Sequence, residues 1–152
     1  MAVLSEQAVA DELAIRQLTA AYSDAVNRRD GDDFAAVWAA DAKWIVPGLA
    51  DTIGGEAAAD QLLRLTGDME FMLQHLQGGQ VWVEGDNARA RWYIVELGRT
   101  KEGQGVHIAG LYQDRLVRTD AGWRFSQRHF EFLYRGLTDM PGKAYAFPPL
   151  DD

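Results

Sequence analysis

The segment FMLQHLQGG, residues 71–79, places a histidine among apolar residues just before a glycine pair. A histidine has an unperturbed pKa of ~6.5, so His75 could move a proton near neutral pH if a neighbour fixed its tautomer. A core histidine hydrogen-bonded to backbone is an equally simple interpretation. The chain has three histidines, and their spacing matches neither HxH nor HExxH, which argues against a metal site.

A second candidate is an arginine in the segment WRFSQRHFEFLY, residues 123–134. In a strand, Arg128 would share one face with Phe130, Phe132 and Tyr134. A guanidinium on an apolar face needs an anion or a carbonyl beside it. Arg128 could therefore bind a substrate or pair with a structural carboxylate, and the pattern leaves both open.

Aromatic side chains could supply an apolar cavity around these groups. The chain has five tryptophans, most of which are expected in the core. Trp44, Phe71 and the aromatic face of the last strand, with Phe130, could together line a cavity of the kind that buries most of a small ligand. Tyr22 lies on the apolar stripe of the first helix, so its inward hydroxyl needs a polar partner.

Three predicted helices precede the predicted strands. Residues 11–28 carry apolar positions at helical spacing, and two further helical segments follow the Asp30–Gly31 break and the Gly54–Gly55 pair. They are predicted at residues 32–40 and 56–67, with a strand at 42–47 between them. From residue 78 the apolar period becomes two, which predicts two hairpins with turns at 85–87 and 119–121.

This order of elements predicts an α+β domain in which a curved, mostly antiparallel sheet closes around the helices and leaves a pocket. A chain of 152 residues is the usual size of one domain. We expect a single domain over residues 1–152, with a core at about 8–135 and an extended tail at 136–152.

Composition excludes several classes of function. The net charge of −8 opposes a nucleic-acid partner. No apolar run approaches the ~20 residues of a membrane span, and the acidic N-terminus does not resemble a signal peptide. The chain has no cysteine, which is consistent with a cytoplasmic location. Dinucleotide-binding, P-loop and Ser-His-Asp signatures are absent, so no cofactor is expected.

Four motifs in order carry a resemblance to a known family. YSDAVNRRDGDDFAAVWAADAKWIVPG, an isolated histidine, VWVEGDNARARWY and GLYQDRLVRTDAGWRFSQR together resemble the SnoaL-like group. That group belongs to the nuclear-transport-factor-like superfamily of conical α+β barrels. Within it the chain is most similar to cofactor-free lyases: scytalone dehydratase, bile-acid dehydratase and hexachlorocyclohexane dehydrochlorinase.

The resemblance implies roles for particular residues. The aspartate, tryptophan and histidine of the dehydrochlorinase would correspond to Asn27, Trp44 and His75, and its pocket arginine to Arg128. A catalytic tyrosine of the bile-acid dehydratase would correspond to Tyr22. Further binding residues are expected at Asp24, Phe71, Tyr112 and Phe130. Because Asn27 stands where the family has an aspartate, it cannot stabilise an imidazolium by charge, and Asp24 is the nearby carboxylate that could replace it.

The expected function is a cofactor-independent lyase for a small apolar or aromatic molecule. His75 would move the proton in a dehydration, a dehydrohalogenation or a retro-aldol cleavage, with Tyr22, Asn27 and Arg128 assisting. The alternatives are a non-catalytic binding protein or oxygenase accessory subunit, and a polyketide-cyclase-like enzyme with Asp24 as its carboxylate. A homodimer or homotrimer is expected from fold analogy alone.

Overall fold

A long N-terminal helix covers the concave side of the sheet in the computed structural model, which describes residues 5–150. Helix α1 (Glu6–Arg28) begins at Ser5, whose side chain accepts a hydrogen bond from the Ala8 amide. It ends at Arg29 in the left-handed conformation. Helix α2 (Gly31–Ala36) and helix α3 (Gly55–Thr66) pack against each other on the same side.

Six strands form one sheet in the order β2-β1-β6-β5-β4-β3. Strand β1 pairs in parallel with β6, and the other neighbours are antiparallel. The strands are β1 (Trp38–Ile45), β2 (Thr52–Ile53), β3 (Met69–Glu84), β4 (Asn87–Thr100), β5 (Gly105–Thr119) and β6 (Gly122–Thr138). The predicted α+β fold, with helices packed into a curled and mostly antiparallel sheet, is confirmed.

The main differences from the sequence prediction concern three strands, while α1 also begins five residues earlier than predicted, at Glu6. Strand β3 begins at Met69, before the glycine pair. Its first half pairs with β4, but it was not predicted as a strand because its apolar and polar residues do not alternate in sequence. Strand β1 begins at Trp38, inside the region predicted as the second helix. The short strand β2 was missed. Both hairpins turn where predicted, at residues 85–86 and 120–121.

The core lies between α1 and the concave face of the sheet. Ile15, Tyr22, Ala25 and Val26 of the predicted stripe are all buried there. They pack within a cluster that includes Phe34, Trp38, Trp92 and Phe125.

None of the helices within residues 5–150 combines the length and the apolar composition of a membrane span.

Candidate functional site

A cavity of about 530 Å³ opens between α1, α3 and the concave face of the sheet. Its wall is mainly apolar and aromatic, with Tyr22, Trp44, Tyr112 and Phe130 among the lining residues. This volume and lining are typical of a pocket for a small organic ligand. Among residues 5–150, only two lining side chains carry a charge, Glu96 and Arg135.

Glu96 places a carboxylate on the wall of this apolar cavity. It lies on β4 directly opposite Gln74 of β3, whose Nε2 is 3.3 Å from Glu96 Oε2. Burial raises the pKa of Glu96, and the hydrogen bond from Gln74 offsets only part of that shift. A carboxyl with a raised pKa is suited to accepting a proton from a weakly acidic carbon near neutral pH.

Two tyrosine hydroxyls continue the polar group beside Glu96. Gln74 Nε2 donates to the Tyr112 hydroxyl at 3.0 Å, and the Tyr22 hydroxyl donates to the same oxygen at 3.4 Å. Burial raises the pKa of Tyr112 to about 12 and that of Tyr22 well above its usual value, so both stay protonated. Because the Tyr112 oxygen accepts twice, its own hydrogen is available to an oxygen or halide in the cavity.

Gln74 connects the carboxylate to the tyrosines. Its side chain is buried, and its Oε1 has no hydrogen-bond partner within residues 5–150. A buried amide oxygen without a donor is costly, and a hydroxyl or N–H of a bound molecule would satisfy it. The arrangement therefore offers an acceptor, a proton base and a hydroxyl donor to one ligand.

Arg128 pairs with a buried carboxylate, which is one of the two alternatives that its sequence pattern left open. Its Nε and Nη2 contact the two carboxylate oxygens of Asp114 at 2.8 and 2.6 Å, and neither side chain has exposed surface. The guanidinium carbon lies 4.2 and 4.1 Å from the ring centres of Tyr22 and Tyr112. Arg128 is not among the residues that line the cavity, and its buried Nη1 has no hydrogen-bond partner within residues 5–150; a contact with substrate stays a prediction. Its guanidinium packs against the rings of both tyrosines.

Asn27 has a backbone role. Its Nδ2 donates to the Gln74 carbonyl at 2.9 Å, and its Oδ1 accepts from the Gln74 amide at 2.7 Å. The Asn27 side chain therefore forms the two backbone hydrogen bonds that a neighbouring strand would form with residue 74, and it joins α1 to β3. No hydrogen bond joins Asn27 to His75 within residues 5–150, so the contacts of Asn27 support a structural role, and its predicted role toward His75 or the substrate stays a prediction.

His75 lies on the outer surface of the sheet. Its side chain is exposed and does not line the cavity, so its predicted place in the pocket is wrong. The pairing of β3 with β4 shifts by one residue between Leu76 and Gly79. An uninterrupted strand would put His75 on the face of Val81, but the extra residue turns His75 outward and Gln74 inward.

Gly79, the second residue of the glycine pair, is the reason that this bulge can form. A Cβ on Gly79 would lie 2.2 Å from the Arg91 carbonyl oxygen and 2.4 Å from the Trp92 ring. Only glycine allows the strand to approach β4 so closely. A glycine inside a strand pattern indicates a bulge or a close approach of two backbones, but a Gly-Gly pair is equally typical of a turn, so the sequence signal was ambiguous.

The remaining predicted binding residues separate into two groups. Trp44, Tyr112 and Phe130 line the cavity, as does Tyr22. Asp24 is exposed and pairs with Arg28 at 2.8 Å, so it does not serve as the pocket carboxylate. Phe71 lines a separate, smaller cavity beneath the C-terminal tail, so its prediction is wrong as well.

Glu96 and Gln74 are the functional candidates that the sequence prediction missed. Glu96 has the same parity as Ala88, Ala90 and Ile94, which are buried, so alternation along β4 already indicated an inward carboxylate. Gln74 gave no such signal, because its orientation depends on the bulge.

The chain matches known proteins over most of its length. A family model described as SnoaL-like domain matches residues 7–129. The γ-hexachlorocyclohexane dehydrochlorinase of Sphingobium indicum is 30% identical over 147 residues, which cover 92% of this chain and 90% of the relative.

Solved structures show the same similarity. The crystal structure of LinA has a TM-score of 0.80 at 27% identity, covering 92% of this chain and 96% of that one. A candidate scytalone dehydratase from Novosphingobium aromaticivorans has a TM-score of 0.77 over 90% and 97%, but its 17% identity shows the fold alone. A candidate aromatic ring hydroxylase from Novosphingobium aromaticivorans is as similar in structure as LinA, with a TM-score of 0.80 at 29% identity over 86% of this chain and 94% of that one. The chain belongs to the SnoaL-like domain family and has its conical α+β fold.

Proposed function

We propose that this protein is a cofactor-independent lyase for a small apolar or aromatic molecule, with Glu96 as the proton acceptor. One observation carries the proposal: a carboxylate with a raised pKa faces an apolar cavity and is linked through Gln74 to a tyrosine hydroxyl. The dehydrochlorinase relative, which is 30% identical, supports the reaction class.

The elimination uses groups already in place. Glu96 takes a proton from a carbon of the substrate, and the electrons of that C–H bond form the new double bond. The leaving group departs from the neighbouring carbon while the Tyr112 hydroxyl donates a hydrogen bond to it. In a dehydration, the proton that Glu96 has taken passes to the departing oxygen, so water leaves and the carboxylate is restored. In a retro-aldol cleavage, Glu96 accepts the hydroxyl proton, the O–H electrons form a carbonyl, and the C–C electrons pass to an enolate whose oxygen accepts a hydrogen bond from Tyr112.

The experiment is turnover of aromatic β-hydroxy and halogenated compounds by wild type and by Glu96→Gln. We expect Glu96→Gln to lose about 10²-fold or more in kcat/KM, the usual contribution of a positioned base. Glu84→Gln is the matched control, because Glu84 is exposed at the far end of β3 and makes the same change in charge. Its activity should equal that of wild type.

The pH profile gives a second readout of the same role. Glu96 is a base only when ionised, so kcat/KM of wild type should rise with pH through its raised pKa. Residual activity of Glu96→Gln should lack that step. Equal activity of wild type and Glu96→Gln on every substrate that turns over would contradict the proposal.

A second candidate function is non-catalytic binding of a small molecule, including a role as an oxygenase accessory subunit. It is favoured by the position of the histidines, since none of His75, His107 and His129 lines the cavity. A binder would show ligand affinity without turnover, and Glu96→Gln would retain that affinity. A polyketide-cyclase-like enzyme would also use Glu96, and is distinguished by ring formation without a leaving group.

A further inference from the structure

Arg135 is the cationic counterpart of Glu96 at the mouth of the cavity. It is an exposed residue of β6 that lines the cavity together with Thr100, Gln104 and Val106. Within residues 5–150 no carboxylate lies within ion-pair distance of Arg135. Its guanidinium carbon lies 5.6 Å from the ring centre of Phe132. The cation is therefore positioned by an aromatic ring and has no structural partner among these residues.

The direction of this side chain depends on an extra residue in β6. Gly110 of β5 pairs with Phe132, but Ala109 pairs with Tyr134. One additional β6 residue, between Phe132 and Tyr134, therefore has no partner in β5. Strict alternation would place Arg135 on the convex face, opposite to Phe132. After the shift, Arg135 follows Phe132 on the cavity side. A Cβ on Gly110 would lie 2.4 Å from the Phe130 ring, so this close approach of strand and ring requires glycine.

Arg135 and Glu96 stand in one row across three strands. Glu96 of β4 pairs with Ile108 of β5, and Ile108 pairs with Arg135 of β6. All three residues line the cavity. With neighbouring strands about 4.8 Å apart, the Cα atoms of Glu96 and Arg135 are about 10 Å apart. A molecule that reaches both has an anionic end and a reactive carbon separated by a ring or a short chain.

We infer that the ligand of this cavity is an aromatic or apolar molecule with one anionic group, most simply a carboxylate, which Arg135 binds at the mouth. A planar guanidinium can hold a carboxylate through two hydrogen bonds. The inference deepens the proposed function, and it rests on that function for the role of Glu96 but not for the binding of the anion. The net charge of −8 opposes anions, so any preference for an acid must have a local cause.

The test measures binding of matched acids and amides by isothermal titration calorimetry. The pairs are phenylacetate and phenylacetamide, 3-phenylpropanoate and 3-phenylpropanamide, and 4-phenylbutanoate and 4-phenylbutanamide. Each pair has the same apolar part and differs in charge. For the pair that fits best, we expect wild type to bind the acid about tenfold more tightly, the equivalent of ~1.4 kcal/mol. The preference should weaken in high salt.

Arg135→Gln should bind the acid and the amide of that pair equally. The matched control is Arg115→Gln, which removes the same charge from an exposed arginine on the convex face of β5. It should keep the wild-type preference. The inference is overturned if wild type binds acids and amides equally, if it binds neither, or if Arg135→Gln keeps the preference.

Failure of this inference is distinguishable from failure of the lyase proposal. Acid preference is a binding measurement that needs no turnover, so a protein that binds acids through Arg135 without turning any over contradicts only the lyase. A protein that turns over neutral substrates through Glu96 and ignores the acids contradicts only the role of Arg135.

Discussion

The pairing of Arg128 with Asp114 predicts a large and pH-dependent loss of stability when the arginine is removed. Both side chains have no exposed surface, and two hydrogen bonds of 2.8 and 2.6 Å join them. In Arg128→Met, a side chain of similar length replaces the guanidinium and leaves the Asp114 carboxylate buried without a cation. A buried carboxylate in that position takes up a proton.

The cost of that protonation sets the magnitude. Neutralising a carboxyl of usual pKa ~3.9 at pH 7 costs about 4 kcal/mol, at ~1.36 kcal/mol for each pH unit. At pH 5 the same reasoning gives about 1.5 kcal/mol. The pKa of Asp114 in the folded variant lies above its unfolded value, so the destabilisation is present at neutral pH and fades as the pH falls toward ~4.

Asp114→Leu should behave differently. It leaves the Arg128 guanidinium buried without an anion, and a guanidinium cannot lose its proton in this range. We expect a loss of about 3–5 kcal/mol at both pH values. The double variant Arg128→Met/Asp114→Leu removes both charges and should recover most of the stability, since apolar replacements of buried pairs are often close to neutral.

Urea unfolding followed by tryptophan fluorescence at pH 5 and pH 7 measures all four proteins. A loss of ~4 kcal/mol would also lower the melting temperature by roughly 8–16 °C in a domain of this size. If Arg128→Met loses less than about 1 kcal/mol at pH 7 and the loss does not change at pH 5, the ion pair is not what holds Arg128. Arg128 would then return as a substrate-binding candidate.

Three other predictions concern the site. Glu96→Gln should unfold at higher urea concentration than wild type at pH 7 and at the same concentration near pH 4. The reason is that the pKa of Glu96 is higher in the folded state than in the unfolded state, so the wild-type protein loses stability as the pH rises above the unfolded-state pKa. Asn27→Asp should lose about 1–3 kcal/mol in the same assay, because a carboxylate cannot donate to the Gln74 carbonyl; an unchanged midpoint would show that this hydrogen bond is dispensable. His75→Ala should change stability by less than about 0.5 kcal/mol and leave ligand affinity unaltered. Weaker ligand binding by this variant would indicate that His75 does contact the ligand.

Local patterns in the sequence were sufficient for the elements that repeat with a regular period. The apolar stripe of α1 predicted that Tyr22 is buried, and alternation with turn residues predicted both hairpins. These signals are reliable because helical and strand periods are properties of neighbouring residues. The same reasoning identified Arg128 as a buried cation in need of a partner.

The composition of the site was decided by contacts between distant segments. Arg128 meets Asp114 because β6 pairs with β5 in one register, and no spacing rule in either strand names that partner. One extra residue in β3 turns His75 outward and Gln74 inward, and one in β6 turns Arg135 toward the cavity. Each extra residue reverses the face of every residue beyond it. Whether a strand accommodates one depends on the pairing with its neighbour, which exists only in the folded sheet.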